Sequence, residues 1–206
     1  MGHVFARLTG YGMVLVPNWP YRFERQSDGS DDMRVTRWTP DGPRHVVVRP
    51  GHPVDAGDVV EVTHDPDQGA QWFIETSLFR TVWPPDFTVE SSHDPDDHTA
   101  FYLHGSDESM IFPQGPVPRA RLNDPAALVA AGQTIIGSQV GDDGISVVEL
   151  AYEHDAEPWW QGYWLVEYSQ DHFLVITAQA RQPQRADTRA AAAAVAASLA
   201  VGPPRG

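Results

Sequence analysis

Residues 145 to 151 read ISVVELA, residues 160 to 168 read WQGYWLVEY and residues 172 to 180 read HFLVITAQA. The acidic turn Glu153-His154-Asp155-Ala156-Glu157-Pro158 joins the first two, and Ser169-Gln170-Asp171 joins the second to the third. Apolar and aromatic runs of this length, bounded by turn-forming residues, are the pattern of strands paired with their chain neighbours. An alanine-rich stretch follows from about Thr188. Asp187 is its expected N-cap, Val195 and Leu199 its buried stripe, and Gly202-Pro203-Pro204 its stop. Alanine carries high helix propensity and lets a helix lie close to a sheet. Strand, hairpin and helix from Ile145 to Ala200 form the unit against which the rest of the chain is read.

Upstream of that unit, Asp124-Pro125 predicts a second helix, with Asp124 as N-cap and Pro125 at the first helical position, where its missing N–H costs nothing. Leu128, Ala131 and Ile135 then share one face at helical spacing, and Gly137 with Gly141-Asp142-Asp143-Gly144 ends the element. Phe79 to Trp83, Phe87 to Ser91, Thr99 to His104 and Ser109 to Pro113 read as strands, and Gln114 to Arg119 as a Pro-rich connector. From Gly12 to Thr76 the pattern is short and β-like. Candidate strands are Met13 to Val16, Tyr21 to Arg25, Met33 to Trp38, Arg44 to Arg49, Asp58 to Thr63 and Gln71 to Glu75, punctuated by Gly and Pro turns. The expected class is α+β: an antiparallel sheet packed by two helices, preceded by a small all-β region. The expected division is a β-rich sheet or open barrel over residues 1–76, an α+β domain over 77–201 and a tail over 202–206.

Laid out this way, residues 77 to 200 resemble the PsbP/DcrB/LpqN-like superfamily. The residues that carry the resemblance are Trp83-Pro84-Pro85-Asp86-Phe87-Thr88-Val89, the stretch Asp124 to Ile136 as a middle helix, and the hairpin Trp160 to Ala180 feeding a helix that ends at Ser198-Leu199. It is a pattern of elements and not a fixed motif. The superfamily includes the photosystem II extrinsic subunit, bacterial DcrB-like proteins, actinobacterial LpqN-like lipoproteins and a Ran-binding nuclear import factor. Most are binding or assembly factors without catalysis, which is what the resemblance implies for function.

The chain has 206 residues and a formal charge of −14, from 28 acidic residues against 14 basic ones. All the basic residues are Arg, a usage that reads as codon bias in a GC-rich bacterial genome. An acidic surface repels phosphate, and Arg181, Arg185 and Arg189 form the only near-cluster of positive charge, so nucleic acid and anionic membrane are set aside as partners. A basic protein partner fits the charge. With no Cys there is no disulfide, thiolate metal site or Cys nucleophile. The amino terminus lacks the pattern of a signal peptide and no window approaches a membrane span, so a cytoplasmic protein is expected.

Three His-Asp turns recur: His64-Asp65-Pro66-Asp67, His93-Asp94-Pro95-Asp96-Asp97-His98 and His154-Asp155-Ala156-Glu157-Pro158. Imidazole and carboxylate together suit a divalent metal, and His93, Asp94, Asp97 and His98 are the candidate ligands. The plainer account is that Asp caps the backbone of its own turn. No G-x-S-x-G, H-E-x-x-H, P-loop or G-x-G-x-x-G is present, and no cofactor is expected.

Trp159-Trp160-Gln161-Gly162-Tyr163-Trp164 is the most unusual composition in the chain. On a strand, Trp160 and Trp164 share one face, and Trp159 and Tyr163 the other. One pair suits a core beneath a helix, and the other must be covered or exposed as an interaction patch. The expected partner-binding residues are therefore Trp159, Trp160, Tyr163 and Trp164 with Glu153, Asp155 and Glu157 beside them. The leading expectation is a non-catalytic protein-binding protein: an adaptor, a secretion-associated accessory or a toxin-neutralising immunity protein. A metal-dependent or small-molecule-binding enzyme using the His-Asp turns and a structural subunit of a larger assembly are the alternatives.

Overall fold

Alternating side chains and frequent Gly and Pro breaks make most of this chain strand. The computed structural model describes residues 4–8, 12–16, 20–26, 30–49, 52, 60–62 and 71–201. In chain order the strands are β1 (Val4–Leu8), β2 (Gly12–Val16), β3 (Tyr21–Arg25), β4 (Met33–Thr39), β5 (Gly42–Val48), β6 (Val60–Val62), β7 (Trp72–Thr76), β8 (Phe79–Val82) and β9 (Thr88–Glu90). They continue as β10 (Tyr102–His104), β11 (Met110–Pro118), β12 (Thr134–Val140), β13 (Ser146–His154), β14 (Glu157–Ser169) and β15 (His172–Arg181), then α1 (Arg185–Ala197) and β16 (Ala200–Val201). The chain forms two units, Met1–Tyr102 with Ala200–Gly206, and Leu103–Leu199.

In the first unit one sheet runs in the order β16, β8, β7, β1, β2, β6, and a second set runs β9, β3, β4, β5. The hairpin of β7 and β8 spans residues 76 and 77, with Ile74 opposite Thr81 and Glu75 opposite Arg80. Val4, Ala6, Leu8, Ile74, Phe79 and Thr81 are buried on one face of the first sheet, as their shared register requires. The opposite face holds a carboxylate. Glu75 is buried and bridged by Arg7 at 3.3 Å and Arg80 at 4.0 Å. Paired guanidinium groups are what make a buried carboxylate tolerable. In the second set Phe23, Met33, Val35 and Val89 are fully buried.

In the second unit the order is β12, β13, β14, β15, β11, β10, all antiparallel neighbours. The expected strands over 145–151, 160–168 and 172–180 are present and longer at their joined ends. The turn between β13 and β14 closes to two residues, Asp155 at φ 53° and Ala156 at φ 61°, so the ladder continues to His154 opposite Glu157. Two left-handed residues match the twist of the strands they join. A second excess of order lies at 114–118, where the expected connector is the far half of β11, with a register shift between Gln114 and Val117.

Several expectations are corrected. The fold is mostly antiparallel β-sheet with a single α-helix among the described residues, not an α+β sheet packed by two helices. The helix expected over 124–136 is one 3-10 turn at Pro125–Leu128 followed by β12. Asp124 does cap it, accepting from Ala126 N at 2.9 Å. The chain then reaches Gly132 at φ 82°, which ends any helix, and the β-branched run Thr134-Ile135-Ile136 pairs along β13, with Thr134 opposite Ala151 and Ile135 opposite Leu150. The terminal helix is real but begins at Arg185, with Gln184 and not Asp187 at its N-cap. Its buried stripe is Thr188, Ala192, Val195 and Ala196; Leu199 lies beyond its end.

Helix α1 packs on β14 and β15. Beneath it, Trp160, Gly162 and Trp164 of β14 stand opposite Ala180, Ala178 and Ile176 of β15. The two indoles meet edge to face at 6.1 Å between centroids. Small residues at 162, 178 and 180 and on the helix leave room for that bulk. A Cβ on Gly162 would lie 2.7 Å from Trp160 Cζ2 and 2.8 Å from Trp164 Cζ3. The rings are buried and cannot swing aside. Gly162→Ala is therefore expected to destabilise by about 1 to 3 kcal/mol through overpacking and to lower Tm by roughly 2 to 4 °C per kcal/mol, with a changed near-UV circular dichroism spectrum. An unchanged Tm would show that the rings are free to shift.

Candidate functional site

The Trp159 to Trp164 run divides as strand geometry demands. Trp160 and Trp164 are 0% and 3% exposed beneath α1, so they belong to the core and offer no surface to a partner. Trp160 Nε1 donates to Glu149 Oε1 at 3.0 Å, and the same oxygen accepts from Arg189 Nε at 3.0 Å and Arg185 Nη2 at 3.5 Å. Arg185 also lies over the Trp160 ring at 5.9 Å. One carboxylate thus ties the first turns of the helix to the strand below. The near-cluster of arginines is not a basic patch: Arg185 and Arg189 pair with Glu149, and Arg181 pairs elsewhere.

On the opposite face Trp159 is 6% exposed and stacks on Tyr152, with centroids 6.2 Å apart and planes 25° from parallel. The register of β13 and β14 sets these two residues directly opposite one another. His154 meets the same indole edge to face at 6.1 Å, and Arg181 of β15 lies over it at 5.6 Å. Arg181 donates from Nε and Nη2 to Glu108 Oε2 at 3.1 and 2.6 Å and pairs through Nη1 with Glu157. The hydrogen bond to Glu108 raises Arg181 above its ordinary pKa, with the charges of Glu108, Glu157 and Asp107 adding to it against a desolvation cost. These groups surround a cavity of about 660 Å³, which His104, Met110, Gln179 and Asp155 complete. A volume of this size is typical of a ligand cleft. Its rim is open, since the Asp155 side chain is 91% exposed.

Tyr163 lies on the cavity face further along β14, half-buried, and burial raises its phenol above the ordinary value. Beside it Gln161 accepts from Gln133 at 2.7 Å. Of the seven expected partner residues, the structure gathers Trp159, Asp155 and Glu157 at the cavity and keeps Tyr163 on the same face. Glu153, opposite Pro158, faces the other way, and Trp160 and Trp164 are buried. The residues that sequence reasoning missed are His104, Glu108, Met110, Tyr152, Gln179 and Arg181. Alternation marks Tyr152 with His154, and Gln179 with Arg181, as same-face pairs, but only the register brings β10, β11, β13, β14 and β15 together.

The metal candidates are occupied with turn chemistry. His93 lies edge to face on Trp38 at 4.6 Å and 3.4 Å from Glu90. Asp94 accepts from Asp96 N at 2.9 Å. Asp97 accepts from Thr99 N at 2.8 Å and from the Tyr102 hydroxyl at 2.7 Å, and His98 is exposed. Among the described residues no three His, Asp or Glu side chains converge as a cation site. The first His-Asp turn, His64 to Asp67, lies outside the described residues. No described helix is long and apolar enough to cross a membrane.

No protein-family model and no curated protein matches the chain. Among solved structures it is similar to LpqN, involved in cell envelope biogenesis of Mycobacterium tuberculosis, at 17% identity with a TM-score of 0.44, over 61% of this chain and 83% of that one. It is also similar to cyanobacterial PsbP (CyanoP) from Synechocystis sp. PCC 6803, at 9% identity with a TM-score of 0.36, over 60% and 86%. The likeness of element arrangement is thus to PsbP and LpqN, both named by the resemblance of residues 77 to 200. No function is carried over from it.

Asp97 makes stability depend on pH. Desolvation alone would raise its carboxyl, but the bonds from Tyr102, from the backbone and hydroxyl of Thr99 and from Ser92 outweigh it and hold the pKa at about 2. The group therefore favours the folded chain above the unfolded carboxylate value of about 4, and that contribution is lost as the pH falls through about 2. Tyr102→Phe is expected to raise the Asp97 pKa toward the ordinary carboxylate range and to shift acid unfolding to higher pH, read by carboxyl NMR titration and by circular dichroism. An unmoved pKa would show that Thr99 and Ser92 suffice.

Proposed function

We propose that this is a non-catalytic protein-binding protein that engages its partner through the face of β13, β14 and β15 opposite α1. The observation that carries the reading is the cavity over the stacked Tyr152 and Trp159, rimmed by carboxylates from Glu108, Asp155 and Glu157. Tyr152 is the reachable ring of that pair, with the buried Trp159 behind it, and an aromatic ring in a recess is an anchor of the kind protein interfaces use, because it contributes large contact area with few rotatable bonds. The surplus acidic charge of the chain favours a basic partner and disfavours nucleic acid and anionic lipid. Adaptor, secretion-associated accessory and toxin-neutralising immunity protein are the roles such a face serves.

The test uses the full chain, tagged in its native host and cross-linked, in three forms: wild type, the combined variant Glu108→Gln, Asp155→Asn and Glu157→Gln, and the distant exposed control Asp142→Asn. A partner recovered with wild type and control, and reduced at least about tenfold with the combined variant (about 1.4 kcal/mol of binding), supports the reading. Equal recovery with all three, or recovery with none, overturns it.

A further inference from the structure

We propose that the cavity receives the guanidinium of an arginine presented by the protein partner, laid on Tyr152, which the buried Trp159 backs, within the ring of carboxylates. The inference rests on the partner-binding reading above and names the group that the face recognises. The floor offers one reachable aromatic ring, the part-buried Tyr152, stacked on the buried Trp159 with their planes 25° apart. Such a surface attracts cations, and a planar guanidinium lies on it while its in-plane N–H groups stay available for hydrogen bonds. An ammonium has no plane to stack.

The molecule already displays this recognition once. Arg181 lies over Trp159 at 5.6 Å while donating to Glu108 and pairing with Glu157. Both hydrogen bonds to Glu108 end on its Oε2, and the pair with Glu157 is made through its Oε2. Asp155 at the rim adds a third carboxylate. One guanidinium set against three carboxylates leaves the acidic side chains in excess by two around the cavity. An anion is repelled there, an uncharged donor gains hydrogen bonds from the rim but no charge attraction, and a cation that can stack satisfies both floor and rim. At about 660 Å³ the cavity exceeds one side chain, which leaves space for the backbone that carries the arginine. This favours a peptide segment over a lone ion.

The full chain, isotopically labelled, is titrated at mildly alkaline pH with a capped Gly-Ser-Arg-Ser-Gly peptide and with the same peptide carrying citrulline, which keeps the shape and removes the charge. The arginine peptide is expected to shift the Trp159 indole N–H, assigned with Trp159→Phe, and the Tyr152 ring. Citrulline is expected to bind at least about tenfold more weakly, as is the arginine peptide to the Glu108→Gln, Glu157→Gln variant. The Trp160 indole N–H, in the core, reports that the variant remains folded. Absence of shifts at Trp159 and Tyr152, or equal binding of both peptides, overturns the inference. If that happens while a face-dependent partner is still captured, the arginine site falls and the partner-binding reading stands. Peptide binding without any face-dependent partner overturns the reading and with it the assignment of the arginine to a protein.

Discussion

Trp160 and Trp164, packed on either side of Gly162 beneath α1, are the arrangement on which the second unit depends. Two indoles two residues apart from a glycine fill one face of β14, and the small residues of β15 and of the helix let the helix settle on them. Glu149 then binds Trp160, Arg185 and Arg189 through one oxygen and fixes how the helix begins. With that face closed, the intervening side chains of the same strand face the other way. The candidate site is thus a consequence of strand alternation: the core takes the even-numbered tryptophans and leaves Trp159 to the cavity.

Charge is organised around the same aromatic rings. Lys is absent, so the basic side chains are arginines, and several lie over rings: Arg181 over Trp159, Arg185 over Trp160, Arg80 over Phe73, Arg119 over Phe173 and Arg22 over Trp38. Each of these also meets a carboxylate. A planar guanidinium can do both at once. Exposed ion pairs of this kind contribute little to stability, and their effect is to orient side chains. Because the arginines are matched in this way, the excess of acidic residues is felt at places such as the cavity rim, where carboxylates outnumber cations.

The strands of the last sixty residues were legible because alternation and turn residues are local signals. The helix over 124–136 misled because its start is genuine, Asp124 capping a turn after Pro125, while its continuation depends on neighbours. Leu128, Ala131 and Ile135 fit helical spacing, but β13 offers an edge with unmet hydrogen bonds, and Ile135 and Ile136 extend along it once Gly132 has reversed the chain. Tertiary pairing overrides weak local preference there. The aromatic run was legible as two faces, though not which face would be covered.

By itself the sequence determined the three strands between residues 145 and 180, the alanine helix that follows them, an excess of acidic charge, and a tryptophan run split between two faces, because propensity, charge and the two-residue period of a strand are properties of the local chain. Only the tertiary structure decided that Trp160 and Trp164 are core, and that Tyr152, Trp159, Glu108, Glu157 and Arg181 meet around one cavity. Those residues come from separate strands and a loop. Their meeting is set by the register of the ladders between them, and register is fixed by long-range hydrogen bonding and core packing that no local stretch encodes.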